Sequence, residues 1–202
     1  LAKINANPDD QTLREPLMEW INGQFLSNLE TVKAESWFIN DLSGTQVARS
    51  PAKDSIGKNY AYRDYFHGQG HDLDLGEGDT ADPISEPNLS AVYESSTSGK
   101  LKVAFSVPVF GTAEDNLQNK VIGVLAMSVD LGAFDVLEQE LSGGNETLLI
   151  DARQDHIEGE PKRGLILHHS EHKISGRKNP ARVAPEVLER LNSASGDEPF
   201  IA

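Results

Sequence analysis

The chain opens with apolar residues at three- and four-residue steps, which is the period of an amphipathic helix. The stripe comprises Leu13, Leu17, Trp20, Ile21, Phe25, Leu26 and Leu29. We therefore predict an N-terminal helical segment over 1–35, with the stripe at 9–34 covering a core. Pro16 fits the first helical turn. Asn22-Gly23 predicts a break that divides the helix into two pieces.

Shorter runs with β-strand patterns follow this helix. Residues 36–40 and 45–50 are rich in strand-forming types and flank a glycine turn, which predicts a hairpin. Residues 101–109 alternate, so their apolar odd-numbered positions are expected to share one face and to be buried. Residues 121–129 are almost wholly apolar, which is typical of a central strand covered on both faces. That strand ends at Asp130, a charge at the mouth of the predicted sheet.

A long polar connection, residues 68–89, and a short predicted strand, residues 90–95, come before the two longer strands. A connection of this length in a compact domain is usually functional or mobile. Within its acidic part, residues 72–86, the spacing Asp-x-Asp-x-Gly-x-Gly-Asp offers oxygen ligands for calcium. The closing glutamate of an EF-hand loop is missing at the required step. A solvated acidic loop is therefore favoured, and calcium binding stays an alternative.

The second half of the chain predicts a smaller module. A helix at 131–141 ends in Gly143-Gly144, which we take as the domain boundary. The elements predicted beyond it are strands at 147–151 and 165–170 and a helix at 185–194. The order of apolar strand, aspartate, glycine turn and apolar strand weakly repeats that of the first half. The expected modules are therefore 36–142 and 145–202.

Composition excludes several function classes. The 202 residues carry a net charge of -14, and so acidic a chain disfavours nucleic acid and anionic membrane surfaces as partners. Hydrophobic residues make up 38% and the mean hydropathy is -0.43, which suits a water-soluble fold with a core. With 0 cysteines, disulfides, thiol catalysis and zinc-thiolate sites are excluded. We also find no signal peptide or membrane-spanning run, and expect a piece of a longer protein whose membrane anchors lie outside it.

The segment 56–66 carries the most suggestive chemistry, because it places four aromatic rings around one arginine. The rings are Tyr60, Tyr62, Tyr65 and Phe66, and the arginine is Arg63. A guanidinium fork matches a carboxylate, and rings supply apolar walls and stacking faces. This combination predicts a pocket for a small anionic or zwitterionic molecule. The alternative is a helix that packs its rings into the core and points the arginine at solvent.

Further short motifs are distributed along the chain on both sides of this aromatic segment. They are Ser36-Trp37-Phe38-Ile39-Asn40-Asp41, Ser43-Gly44, Ile56-Gly57-x-Asn59-Tyr60, Arg63-Asp64-Tyr65-Phe66 and the run from Gly123-Val124-Leu125 to Asp130. In this order they resemble the Cache family, the extracytoplasmic sensor domains of bacterial chemoreceptors and transmembrane kinases. The resemblance covers roughly residues 10–200. Its second half is similar to the start of the membrane-proximal module of a double-Cache domain.

The resemblance implies an α+β fold with a PAS-like antiparallel sheet, a long N-terminal helix and a ligand pocket in the first, membrane-distal module. Arg63 would take a carboxylate and Asp130 an ammonium group. Tyr65, Phe66 and Tyr93 would form the walls, with Tyr60 beside them. Lys58 stands where amino-acid-binding relatives have a tyrosine, so an organic acid remains an alternative to an amino acid.

An enzyme reading would rest on the histidine cluster His168, His169 and His172, with Glu171 between them. Adjacent strand residues point to opposite faces, and no His-Glu-x-x-His motif is present, so surface histidines are favoured over a metal site. We therefore expect no catalysis, no metal and no cofactor. A module for adhesion or dimerisation is a further alternative.

The function expected from the sequence is ligand sensing outside the cytoplasm. The fragment would be the periplasmic or extracellular part of a membrane protein, which signals to a cytoplasmic output. That output is expected to be a protein kinase, with a chemoreceptor as the alternative. The expected partner is a small-molecule ligand, and a homodimer is left open.

Overall fold

The computed structural model describes residues 1–74, 80–114, 116–131, 148–151, 164–169 and 181–193. Its helices are α1 (Ala2–Ala6), a 3-10 turn (Gln11–Arg14), α2 (Glu15–Asn28), α3 (Asp64–His67) and α4 (Pro185–Ser193). Its strands are β1 (Ser36–Asn40), β2 (Gln46–Ser50), β3 (Asn88–Leu89), β4 (Tyr93–Glu94), β5 (Leu101–Phe110), β6 (Val121–Asp130), β7 (Leu148–Ile150) and β8 (Ile166–His169).

The chain divides into two compact units. The first comprises Leu1–Ser98 and Lys102–Asp130, and the second Gly99–Leu101 and Leu131–Ala202. The predicted boundary at Gly143-Gly144 lies outside the described residues, as does the predicted helix beyond Leu131.

The sheet of the first unit has the strand order β2-β1-β6-β5-β3, with β4 also paired to β5. β1 pairs antiparallel with both β2 and β6, which confirms the predicted hairpin. β6 lies between β1 and β5, as its almost wholly apolar sequence predicts. The expected α+β architecture with an antiparallel sheet and an N-terminal helix is thereby confirmed.

One face of this sheet is covered by the N-terminal helices. Ile21 of α2 is fully buried against Ile39 and Val47, and Phe25 is also buried. The predicted break at Asn22-Gly23 is wrong, because α2 runs without interruption from Glu15 to Asn28. A helical glycine costs only about 1 kcal/mol relative to alanine. Burial of Ile21 and Phe25 outweighs that cost.

The opposite face of the sheet holds the aromatic core. Phe38 and Ile39 are neighbours on β1, so they point to opposite faces. The aromatic side comprises Phe38, Tyr60, Ala61, Tyr65, Phe66, Ile84, Ala104, Val124 and Ala126. Gly44 brings the segment 56–66 close to the hairpin, since a Cβ there would lie 2.6 Å from Ala61. Its φ of +84° is also one that glycine adopts freely.

The buried face of β5 is the reverse of the predicted one. Phe105 and Val107 are 45% and 42% exposed, whereas Lys102, Ala104 and Ser106 are at most 2% exposed. The rings of the segment 56–66 fill the space on the inner side of the sheet. Only small or extended side chains fit between those rings and the strand, so steric fit outweighs the apolar alternation.

The second unit contains an antiparallel pair, β7 and β8, and helix α4. These elements confirm the strands and the helix predicted for the second half. His168 and His169 belong to β8, but their side chains, together with Glu171 and His172, lie outside the described part of the chain. Across the described residues of both units, no helix combines the length and apolar character needed to cross a bilayer.

Candidate ligand-binding site

A cavity of about 30 Å³ lies on the aromatic side of the first unit's sheet. Its lining is rich in rings, hydroxyl groups and cations. The lining residues are Phe38, Gln46, Arg49, Ser55, Tyr60, Arg63, Tyr65, Tyr93, Ser95, Ser96, Thr97, Lys102 and Ser128. All of them belong to the first unit.

Three rings form one continuous wall. Tyr65 meets Phe38 edge-on with ring centroids 5.0 Å apart, and meets Tyr93 edge-on at 5.6 Å. Such edge-to-face pairs are the favoured arrangement for aromatic rings. Burial raises the pKa of both tyrosine hydroxyls above its usual value. The hydroxyls therefore stay neutral at physiological pH and can donate hydrogen bonds to an anion.

Arg63 is anchored within the protein at both ends of its guanidinium fork. Nη1 forms an ion pair of 2.6 Å with Asp72 Oδ2, and Nη2 donates to the carbonyl of Glu94 at 3.0 Å. The guanidinium carbon also lies 4.9 Å and 5.0 Å from the ring centroids of Tyr62 and Tyr93. Burial opposes its charged form, but Asp72 and the neighbouring tyrosines together raise the pKa of Arg63 above its usual value.

The position of Arg63 follows from the local fold around Asp64. Arg63 has an extended backbone and caps α3, which ends at Gly68 in the left-handed conformation. The Asp64 carboxylate, 2% exposed, accepts hydrogen bonds from the amides of Gly70 and Ala91. Asp72 Oδ1 accepts from the Asp64 amide at 3.1 Å. The two aspartates thus fasten the polar connection against the aromatic segment.

Arg49 enters the same cavity from β2. It is 7% exposed, its Nε donates to the carbonyl of Pro51 at 3.2 Å, and its guanidinium carbon lies 6.0 Å from the centroid of Phe38. No carboxylate in the described part of the chain forms an ion pair with it. Burial lowers the pKa of Arg49, and the opposing influence of the neighbouring tyrosines and of Glu35 is smaller, whereas the pKa of Arg63 is raised.

Lys102 supplies the third cation of the lining. It is 2% exposed and forms an ion pair with the carboxylate of Glu35, whose side chain is 32% exposed. The residue pairs with Asp130 across the β5–β6 ladder, which brings its long side chain to the cavity face of the sheet.

Hydroxyl and amide groups complete the lining. Ser55 donates to the side-chain oxygen of Gln46 at 2.7 Å, and Ser128 and Ser36 share a hydrogen bond of 2.7 Å. Such groups can accept or donate as a ligand requires. The site can therefore hold a small polar anion by charge, hydrogen bonds and ring contacts.

The structure brings four of the six sequence-predicted site residues to this cavity: Tyr60, Arg63, Tyr65 and Tyr93. Phe66 is fully buried in the core cluster and is not among the described lining residues. Asp130 shares the sheet face of Ser128, one strand repeat further on, and is not among them either.

Sequence reasoning missed Arg49 and Lys102. A signal existed for Lys102, because it lies on the polar side of the alternating run 101–109. Once bulky rings were expected next to this sheet, the small and polar side of that run was the better candidate for the inner face. Arg49 offered no comparable signal, because a hairpin strand of mixed polarity does not show which side chains are covered.

Comparison with solved structures finds the sensor domain of the V. cholerae histidine kinase DctB, with a TM-score of 0.55 and 18% identity over 95% of this chain. The chain spans 61% of that domain's length. The ligand-binding domain of the Pseudomonas fluorescens chemoreceptor CtaA, in complex with L-serine, aligns over 81% of this chain and 56% of its own, with 15% identity and a TM-score of 0.46. That of the Pseudomonas aeruginosa PAO1 amino acid chemoreceptor PctC, in complex with GABA, aligns over 85% and 78%, with 17% identity and a TM-score of 0.42.

No protein-family model matches the sequence, and a search of curated protein sequences finds no match. The likeness to the DctB sensor domain is therefore one of fold, at an identity of 18%. It agrees with the antiparallel sheet and the N-terminal helix of the first unit. The chain has the PAS-like fold of the Cache-type sensor domains that its sequence motifs resemble.

Proposed function

We propose that this chain is the extracytoplasmic ligand-sensing domain of a transmembrane signalling protein. It binds a small anionic or zwitterionic molecule, an amino acid or an organic acid, in the cavity of the first unit. Tyr60, Arg63, Tyr65 and Tyr93 contact this ligand. The domain itself catalyses no reaction.

The observation that carries this proposal is the composition of the cavity wall. Arg49, Arg63 and Lys102 line one cavity together with the rings of Tyr65 and Tyr93. Burying a cation is costly unless it is paired. In the described part of the chain, Asp72 pairs with Arg63 and Glu35 with Lys102, so Arg49 is the buried cation that needs an anionic partner. Recognition of an anion supplies one.

The fold also offers a route from the cavity to the N-terminal helix. Phe38 and Arg49 face the cavity, while Ile39 and Val47 of the same two strands pack against Ile21 of α2. A ligand that moves these strands would therefore shift α2. Since the DctB domain belongs to a histidine kinase, a kinase is the output we infer, with a chemoreceptor as the second candidate.

A thermal-shift screen of small acids and amino acids on the 202-residue chain tests the proposal. At a hundredfold excess over the dissociation constant, a ligand should stabilise the protein by about 2.7 kcal/mol. Ser96→Trp places a bulky ring at an exposed position of the cavity lining and should abolish the stabilisation. Ser98→Trp is the matched control, because Ser98 is exposed in the same turn and is not among the described lining residues.

The proposal fails if no compound stabilises the protein. It also fails if stabilisation persists unchanged in Ser96→Trp, because the ligand would then bind elsewhere.

A further inference from the structure

We infer that the cavity selects a ligand with a single negative charge and that Arg49, rather than Arg63, takes its carboxylate. This inference rests on the proposed function and narrows its ligand class. It follows from a comparison of the partners that the protein itself provides for each cation in the cavity wall.

Two of the three lining cations are neutralised by carboxylates of the chain. Asp72 pairs with Arg63 at 2.6 Å, and Glu35 pairs with Lys102. The second half of the Arg63 fork is also occupied, because Nη2 donates to the carbonyl of Glu94. A ligand carboxylate would have to displace Asp72 before it could use this fork.

Arg49 is the cation that remains. Its side chain is covered by the protein, with 7% of the residue exposed, and its hydrogen-bond partner, the Pro51 carbonyl, is neutral. Glu35 acts on this charge from a distance, but its carboxylate forms its ion pair with Lys102. A buried cation without an anionic partner is strongly unfavourable, and a bound carboxylate would remove that cost. The guanidinium also presents two further nitrogens, Nη1 and Nη2, in the geometry that a carboxylate accepts.

The same reasoning disfavours the other two charge types. A zwitterion brings an ammonium group, but no carboxylate is among the described lining residues, and Arg49 would repel it. A dianion brings a second carboxylate, for which Arg63 becomes available only if Asp72 leaves. The uncompensated charge of the described cavity wall is thus matched by one carboxylate.

Isothermal titration of the 202-residue chain with butyrate, succinate and γ-aminobutyrate tests this inference. All three probes have four carbons and a carboxylate at one end. At the other end butyrate has a methyl group, succinate a second carboxylate and γ-aminobutyrate an ammonium group. Butyrate should bind at least roughly tenfold more tightly than either of the others, which corresponds to the usual contribution of one charge-assisted hydrogen bond. Equal or tighter binding of succinate or γ-aminobutyrate, or no binding of butyrate, would overturn the inference.

Three variants test which arginine binds the ligand carboxylate. Arg49→Gln should weaken butyrate binding by at least roughly tenfold, and Arg63→Gln should weaken it less. Asp72→Asn removes the carboxylate that neutralises Arg63 and should raise succinate affinity by at least roughly tenfold. An Arg63→Gln effect as large as that of Arg49→Gln would overturn the assignment of the carboxylate to Arg49 rather than Arg63.

Melting temperatures of the unliganded variants separate binding from folding. Arg49→Gln removes a buried charge that has no ion pair among the described residues, so its melting temperature should equal or exceed that of the wild type. A clear decrease would show that Arg49 is structural and would overturn the assignment.

If other compounds bind in the cavity while butyrate does not, the inference fails and the sensor function stands. If Ser96→Trp leaves every ligand's binding unchanged, the sensor proposal itself fails.

Discussion

Removing the Asp64 carboxylate should destabilise the first unit strongly, because two backbone amides depend on it. The carboxylate is 2% exposed and accepts from the Gly70 amide at 2.6 Å and from the Ala91 amide at 2.5 Å. Hydrogen bonds to charged groups contribute about 1.5–3 kcal/mol each. Gly70 is exposed and can turn to water, whereas Ala91 is buried and would keep an unsatisfied amide. We therefore expect Asp64→Ala to lower the free energy of unfolding by about 3–5 kcal/mol.

Tryptophan fluorescence during urea unfolding measures this loss selectively, because both tryptophans, Trp20 and Trp37, belong to the first unit. For a chain of this size, the melting temperature should fall by roughly 6–20 °C. Asp54→Ala is the matched control, since Asp54 is exposed. An Asp64→Ala protein that unfolds within about 0.5 kcal/mol of the control would refute the view that this aspartate fastens the polar connection to the aromatic segment.

Two further predictions concern the same unit. Gly44→Ala should cost about 1–3 kcal/mol or more, because its Cβ would lie 2.6 Å from Ala61. Gly23→Ala, with nothing within 4 Å of its Cβ, should stabilise α2 by about 0.5–1 kcal/mol, and equal effects of the two in urea unfolding would contradict the close approach at Gly44. Because burial raises the pKa of Tyr65 and Tyr93 above 10.0, their contribution to stability is complete at lower pH and is lost as the pH rises past that value. The free energy of unfolding should therefore fall less between about pH 9 and pH 11 in Tyr65→Phe than in the wild type. An unchanged dependence of this free energy on pH would count against a buried Tyr65 hydroxyl.

Much of the fold could be predicted because local pattern determines it. The hairpin of β1 and β2 and the central β6 follow from strand-forming residues, turn glycine and a continuous apolar run. The two errors have a common cause in tertiary packing. The helix continues through Gly23 because Ile21 and Phe25 are buried against the sheet, and β5 turns Ala104 and Ser106 inward because rings from elsewhere fill the space.

The candidate site could be predicted only in part. The aromatic segment points to Arg63 and its tyrosines, because those residues are close together in the sequence. The partners that decide the charge of the site are distant: Glu35 pairs with Lys102 across the sheet, and Arg49 comes from another strand. Residues that are distant in the sequence cannot be paired from their spacing, so the charge available to a ligand can be determined only from the structure.

The central claim, that a small anion binds in the cavity of the first unit, is tested most directly by an NMR titration of the 202-residue chain with butyrate. The side-chain Nε–Hε resonance of Arg49 and the ring resonances of Tyr65 and Tyr93 should shift along one saturable curve. The resonance of Arg63 should shift less, because Asp72 holds its fork. Saturable shifts confined to residues outside the cavity, such as the exposed Phe105 of β5, would contradict the claim.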